Sequence, residues 1–283
     1  MVSMNVIAVI VTHDPELDRF RLVLDRVSGQ VGRVIIVDND SRGKGVLRGL
    51  CGGFGNCDFI EVGFNSGVAH ALRVGVNYAS KYKPGWLLFL DDDTVPMGNA
   101  VGKVLGLINN LPRFVLDRVG AVLLGYADGD CGINEVRYEI FSGTLIRADV
   151  AARVYCRDDF FLDQADFDMY SRIRELGYLT LGINCRLVDH RLGMRRWVPI
   201  ISNIFHRSVS YEPPWRYYYI IRNSTRLLLE GRMDFAFYMR QLIDLGVRIL
   251  LADGPWKLIK PLGLGIIHAI LNELGYVESR VFT

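Results

Sequence analysis

Trp86-Leu87-Leu88-Phe89-Leu90-Asp91-Asp92-Asp93 joins a short apolar run to three consecutive carboxylates. A run of this length, rich in large apolar side chains, reads as a strand buried inside a sheet. Carboxylates this close repel one another, at a cost that a bound cation offsets. Alternate side chains of an extended segment share a face, so Asp91 and Asp93 are placed to hold one hard divalent ion. Mg²⁺ or Mn²⁺ would keep coordination positions open for phosphate oxygens. The structural alternative is an Asp-rich turn capping the next helix.

Outward from this stretch the chain alternates between two periodicities. Residues 6–11, 34–37 and 59–62 are further short apolar strands, and residues 16–27 form an amphipathic helix. Ser66 reads as the N-cap of a helix running to about residue 80. The strands end in Thr12-His13-Asp14-Pro15, in Asp38-Asn39-Asp40-Ser41 and just before Phe64-Asn65-Ser66-Gly67. Strands alternating with helices imply βαβ units, hence an α/β fold with a mostly parallel central sheet flanked by helices. In such sheets ligands sit beyond the C-terminal ends of the strands, where these polar residues lie. Further on, residues 119–124 read as a strand and 137–147 as another edge, followed by a helix over 166–176 and a strand over 178–183. After Pro199 the pattern turns helical, with segments 211–231, 233–251 and 256–274 broken by Gly and Pro, so a domain boundary is expected near residue 199.

With 283 residues, half of them hydrophobic, the chain suffices for one large core plus a helical appendage. A net charge of +2 leaves no overall footprint for nucleic acid. The charge is uneven, however: residues 184–260 hold thirteen Lys/Arg against six Asp/Glu. That bias suits phosphates or anionic lipid, or simply a solvated basic face. Cys51, Cys57, Cys131, Cys156 and Cys185 are scattered without a C-x-x-C pair, which argues against a disulfide framework and against zinc. The chain opens into an apolar strand without a basic leader, and no run reaches the ~18 apolar residues of a bilayer span. A cytoplasmic enzyme is the expectation, possible peripheral contact with the membrane included.

These residues also resemble a known family. Leu90-Asp91-Asp92-Asp93 resembles the D-x-D signature of inverting family 2 glycosyltransferases with the GT-A fold. Val11-Thr12-His13, Val37-Asp38-Asn39-Asp40-Ser41 and Asn65-Ser66-Gly67-Val68-Ala69 with Gly75 resemble the elements that precede it, in the same order. Ser142-Gly143-Thr144-Leu145-Ile146 is similar to a stretch lining the donor–acceptor space. Phe160-Phe161-Leu162-Asp163-Gln164-Ala165-Asp166-Phe167-Asp168 resembles the element that supplies the catalytic carboxylate. Val188-Asp189-His190-Arg191-Leu192-Gly193 resembles an H-x-L-G element, and Tyr211, Pro214, Arg216-Tyr217-Tyr218-Tyr219 and Arg222-Asn223 resemble a run of the rhamnosyltransferase branch. Departures are Asp168 where Glu is commoner, Glu212-Pro213 before the usual Pro, and His13 for Tyr.

The resemblance implies a GT-A domain over residues 1–199 and a C-terminal helical region over 200–283 that meets acceptor, membrane surface or a second copy. It implies a nucleotide-sugar site built from Thr12, His13, Asp38, Asn65, Gly67, Asp91, Asp92 and Arg222. Asp91, Asp93 and His190 would hold the metal. Asp166 would act as general base, with Asp163 as the second candidate. The expected donor is dTDP-rhamnose or a UDP-sugar such as UDP-galactofuranose or UDP-glucose, and the acceptor a glycan or a lipid-linked glycan. For the individual residues the structural alternatives are turn chemistry at Asp38 and Asn65, helix capping at Asp163 and Asp166, and packing at Arg222. A nucleotidyltransferase also uses paired carboxylates with Mg²⁺. It would need a Gly-rich basic loop after the first strand, which Thr12-His13-Asp14-Pro15 is not. A non-catalytic sugar-nucleotide binder would be expected to lack the carboxylates Asp163 and Asp166.

Overall fold

The computed structural model describes residues 3–154, 157–190, 194–197, 209–252 and 254–282. They fall into two compact units, Met1–Cys156 with Met169–Arg191, and Arg157–Asp168 with Leu192–Thr283. The boundary expected near residue 199 lies outside the described residues, as do Arg191, Leu192 and Gly193 of the expected H-x-L-G element and Cys156.

The first unit is built on one sheet of eight strands. These are β1 (Ser3–Thr12), β2 (Val31–Asp38), β3 (Cys57–Glu61), β4 (Trp86–Asp91), β6 (Val119–Leu123), β7 (Ile133–Glu135), β8 (Thr144–Arg147) and β9 (Leu179–Ile183). Their order is β3-β2-β1-β4-β8-β6-β9-β7. β3, β2, β1 and β4 are mutually parallel, as are β6 and β9. β8 runs antiparallel to both β4 and β6. Residues 137–147 therefore do not form an edge: Thr144–Arg147 is interior, and its fully buried Thr144, Leu145 and Ile146 explain why. The edge is β7.

Both faces of the central strands are covered, so residues 6–11 of β1 and 87–90 of β4 are buried throughout rather than alternating. Val6, Ala8 and Ile10 share a core with Phe20, Val23, Leu24 and Val27, the buried positions of the helix Leu17–Ser28. Val9 and Val37 point to the other face and meet the helix Val68–Ala79. A Cβ on its Gly75 would stand 2.3 Å from Val9 Cγ1 and 3.1 Å from Val37 Cγ2. Only a glycine lets helix and sheet approach this closely. The N-cap of that helix is Gly67 at φ 80°, not Ser66. Ser66 turns its hydroxyl to Asn39 Oδ1 at 2.8 Å.

Two disulfides correct the expectation against them. Cys51, near the end of the helix Lys44–Gly52, bonds Cys57 at the start of β3, and Cys131 bonds Cys185. The antiparallel register Ile133↔Ile183, carried two residues further, sets Cys131 opposite Cys185. Spacing in the sequence carries no trace of that register.

In the second unit the helix Pro214–Leu229 packs against Trp256–Leu271, with Phe235–Ala252 alongside. Its buried Tyr217 and Ile221 join Leu245 and Ile249 in one small core, while Tyr218 and Tyr219 form another with Phe282. The three C-terminal helices expected from sequence are present, and each ends within a few residues of the expected position.

Replacing Gly75 by Ala is expected to lower the free energy of unfolding by about 1–3 kcal/mol, because Val9 must be displaced. Urea unfolding of the variant measures this, and an unchanged midpoint would contradict the close approach.

Candidate active site

The strand order reverses at β1, whose neighbours β2 and β4 lie on either side. Beyond the carboxyl ends of strands at such a switch point a crevice forms. The register brings the expected residues to it: Thr12 pairs with Asp38 and Val11 with Asp91.

On the β2 side Thr12 and Asp38 are buried. The Thr12 hydroxyl donates to Asp38 Oδ1 at 3.2 Å, and the Ser41 amide donates to Asp38 Oδ2 at 3.2 Å. Asn39 organises the neighbouring loop. Its Nδ2 donates to Asn65 Oδ1 at 3.1 Å, its own Oδ1 accepts from the Ser66 amide at 2.8 Å, and Asn65 Oδ1 accepts from the Gly67 amide at 3.2 Å. His13 lies between the two halves. Its Nδ1 is 2.7 Å from the Asn39 carbonyl, its Nε2 is 3.4 Å from Asn65 Nδ2, and its amide donates to Asp92 Oδ2 at 3.3 Å. Thr12, His13, Asp38, Asn65, Gly67 and Asp92 therefore form one hydrogen-bonded rim.

On the β4 side, two short strands, β5 (Val95–Pro96) and β10 (Val188–Asp189), pair antiparallel. This pairing carries His190 to the acidic loop, 96 residues away in sequence from Thr94, which touches it through the hydroxyl. His190 Nδ1 is 3.3 Å from Asp93 Oδ1. Ser142 Oγ accepts the Asp91 amide at 2.8 Å and is 2.7 Å from Thr94 Oγ1. Asp91, Asp93 and His190 each bring one ligand atom within 4.8 Å of the others. Two carboxylates and an imidazole are a donor set that suits Mn²⁺ well and Mg²⁺ through the carboxylates.

The electrostatics point the same way. Burial pushes the Asp92 carboxyl up to about 7, and the charges of Asp91 and Asp93 add to it against the His13 amide. Burial pulls His190 down, but the Asp93 hydrogen bond and the charges of Asp91 and Asp93 outweigh it, so its value lies above the ordinary one. The protein's own groups leave this corner with excess negative charge.

Sequence reasoning missed Arg19. Buried to 8% exposure on the helix Leu17–Ser28, it donates through Nε to the Asp93 carbonyl at 2.7 Å. Its Nη1 reaches Asp189 Oδ2 at 2.8 Å and its Nη2 the Asp189 carbonyl at 2.6 Å. One guanidinium thus ties the acidic loop to the strand that delivers His190. The available signal was a cation directly before the buried Phe20 of an amphipathic helix. Thr94 was also missed.

Residues 8–127 match the family described as Glycosyl transferase family 2. The protein is similar to the dTDP-rhamnosyl transferase RfbF of Shigella flexneri, at 24% identity over 84% of this chain and 85% of that one. Among solved structures it is similar to TarS of S. aureus, with a TM-score of 0.57 at 14% identity over 98% of this chain. It spans 50% of the length of TarS. It is also similar to GalNAc-T7 crystallised with UDP, GalNAc and Mn²⁺, with a TM-score of 0.55 at 12% identity over 66% of this chain and 44% of that one. At such identities the structures show the fold alone, which is GT-A.

The remaining expected residues lie in the second unit. Asp163 and Gln164 adopt left-handed backbone, φ 58° and 67°, immediately before the helix Ala165–Glu175. Such conformations cost roughly 1–3 kcal/mol each unless the surroundings impose them. Here Arg216 forks onto Asp163, Nη2 to Oδ1 at 2.6 Å and Nε to Oδ2 at 3.2 Å, while Asn223 Nδ2 donates to the Leu162 and Asp163 carbonyls at 2.8 and 2.9 Å. Asp166 stands in the first turn of the helix, half-buried, with Oδ1 accepting the Phe167 amide at 2.9 Å. Asp168 is fully buried and 3.1 Å from Arg232. Arg222 is fully buried too, donating through Nη1 to the Gly275 carbonyl at 2.8 Å and through Nε to Asn223 Oδ1 at 2.9 Å. In this unit its guanidinium supports Asn223 and hence the loop of Asp163.

Removing the Arg19 guanidinium as Arg19→Ala is expected to cost about 2 kcal/mol or more of stability, since it leaves the Asp93 and Asp189 carbonyls without their donor. Arg19→Lys should recover part of it, lacking the fork that reaches both partners. Thermal unfolding of the two variants decides between this and a dispensable surface arginine.

Proposed function

We propose that the glycosyltransferase moves rhamnose from dTDP-rhamnose to an acceptor hydroxyl of a glycan or lipid-linked glycan, inverting the anomeric carbon by direct displacement. The observation that carries this reading is the cluster of Asp91, Asp93 and His190 at the switch point of the sheet. The similarity to RfbF over most of both chains supports the choice of donor.

Asp91, Asp93 and His190 would hold Mn²⁺ or Mg²⁺. Bound there, the ion neutralises charge developing on the departing diphosphate. Asp38, with its side chain fixed by Thr12 and Ser41, would accept from the nucleoside, and the rim of His13, Asn65, Gly67 and Asp92 would position it. Asp166 would take the acceptor proton as general base. Asp163 is the weaker candidate because both its oxygens are engaged by Arg216. A UDP-sugar donor is the second reading, favoured by the UDP named with GalNAc-T7.

Calorimetric titration with dTDP and UDP, with and without Mn²⁺, tests the site. Metal-dependent binding that Asp93→Ala abolishes is expected, with dTDP the tighter ligand. Binding indifferent to metal would overturn the ligand assignment, and tighter UDP would move the donor to the second reading.

The base assignment has its own test. Asp166→Asn should lower the rate of transfer by about 10²–10⁴-fold while leaving dTDP binding intact. Asp163→Asn should instead lower the melting temperature, because it removes one of the two carboxylates that pair with Arg216, leaving Glu212. Full transfer activity in Asp166→Asn would remove Asp166 from the mechanism.

A further inference from the structure

The helix Trp256–Leu271 is apolar on the side where a surface helix is normally polar. Its buried residues Pro261, Gly265 and Ala269 recur every fourth position and face the helix Pro214–Leu229, where a Cβ on Gly265 would stand 2.9 Å from Ile221 Cγ2. At 3.6 residues per turn the opposite side carries Trp256, Ile259, Ile267 and Ile270, exposed by 82%, 57%, 50% and 61%. The helix Phe235–Ala252 repeats the arrangement. Tyr238, Leu245 and Ile249 are buried, while Phe235, Met239, Ile243 and Val247 recur every fourth residue and are all exposed. An apolar groove of about 170 Å³, walled by Ile243 and Gly246 on one side and Leu258 and Leu262 on the other, joins the two helices. The groove thus joins Ile243 of one exposed stripe to Leu258 and Leu262, which flank Ile259 of the other in sequence. A helix apolar on all sides needs a cover on each.

We infer that this surface docks on an anionic lipid bilayer, lying in its interface. Charge selects the occupant. Lys257 and Lys260 are exposed beside Trp256 on a helix that holds no acidic residue, and Arg240 is exposed beside Met239. Asp244 is paired with Arg248 at 2.9 Å. A second copy meeting this face about a two-fold axis would bring a second set of the same cations to it. An anionic bilayer complements them, and tryptophan beside lysine suits the level of the headgroups. No helix among the described residues is long and apolar enough to cross a membrane, so the contact lies on the surface. The inference deepens the acceptor side of the proposed reaction by naming what would present it. It rests on the C-terminal helices, and its test does not depend on donor or metal.

Flotation of the full-length chain with vesicles measures it. The protein should float with vesicles of phosphatidylcholine mixed with phosphatidylglycerol, and much less with phosphatidylcholine alone. The double variant Ile243→Asp with Ile259→Asp should weaken binding about tenfold or more, and Lys257→Glu with Lys260→Glu on the order of tenfold, with the melting temperature unchanged since these side chains are exposed. Raising the salt should weaken wild-type binding. Absence of flotation with the anionic vesicles overturns the inference. So does a dimer in sedimentation equilibrium that the double Asp variant dissociates without any effect on flotation, because the surface would then belong to a second copy.

Discussion

Three carboxylates share the end of one buried strand, and much of the first unit is arranged around that crowding. At an effective dielectric constant of about 20, two unit charges 4 Å apart repel by roughly 4 kcal/mol. Donors from four segments answer it: the His13 amide, the Thr94 hydroxyl, His190, and Arg19 through the backbone of Asp93. Each such hydrogen bond is worth about 1–3 kcal/mol net. They relieve the repulsion without abolishing it, which is why burial and its neighbours hold the Asp92 carboxyl near 7 and why His190 is more basic than an ordinary buried imidazole. A site left short of positive charge by its own protein is one that a divalent cation stabilises, and the diphosphate of a donor would follow the cation.

The parallel half of the sheet was legible because its physics is local. Runs such as Val6-Ile7-Ala8-Val9-Ile10-Val11 need both faces covered, and the helix residues that cover one face announce themselves by their 3.6 period. The antiparallel insertion was not legible. Thr144–Arg147 is four residues long and becomes central only because β4 and β6 accept it between them, a fact of pairing that no window of sequence contains. The disulfides failed for the same reason. Cys131 and Cys185 are 54 residues apart, and only the β7–β9 register makes them neighbours.

The candidate site divides along the same line. Asp38, Asn65 and Asp91 stand where strands end, so position in the sequence already places them at the rim. Arg19 does not stand at a strand end. It is a cation in the first turn of a helix, and its duty follows from what β5 and β10 bring beside it, through a guanidinium whose three donors reach two carbonyls and a carboxylate. Its burial therefore had to be seen, whereas the burial of Phe20 next to it followed from periodicity.

Asp163 and Asp166 show how far environment separates two residues that sequence leaves nearly equal. Three positions apart, both could cap the helix that follows or serve as a base. Asp163 takes a left-handed backbone and gives both oxygens to Arg216, a pairing that costs conformational strain and is held by Asn223, which in turn is held by the buried Arg222. A carboxylate bound in this fork has both oxygens engaged, which suits a support. Asp166, one turn further on, stands half-buried in the first turn of the helix, with Oδ1 accepting the Phe167 amide. The left-handed backbone at Asp163 is thus held from two sides, by the Arg216 fork on its side chain and by Asn223 on its carbonyl.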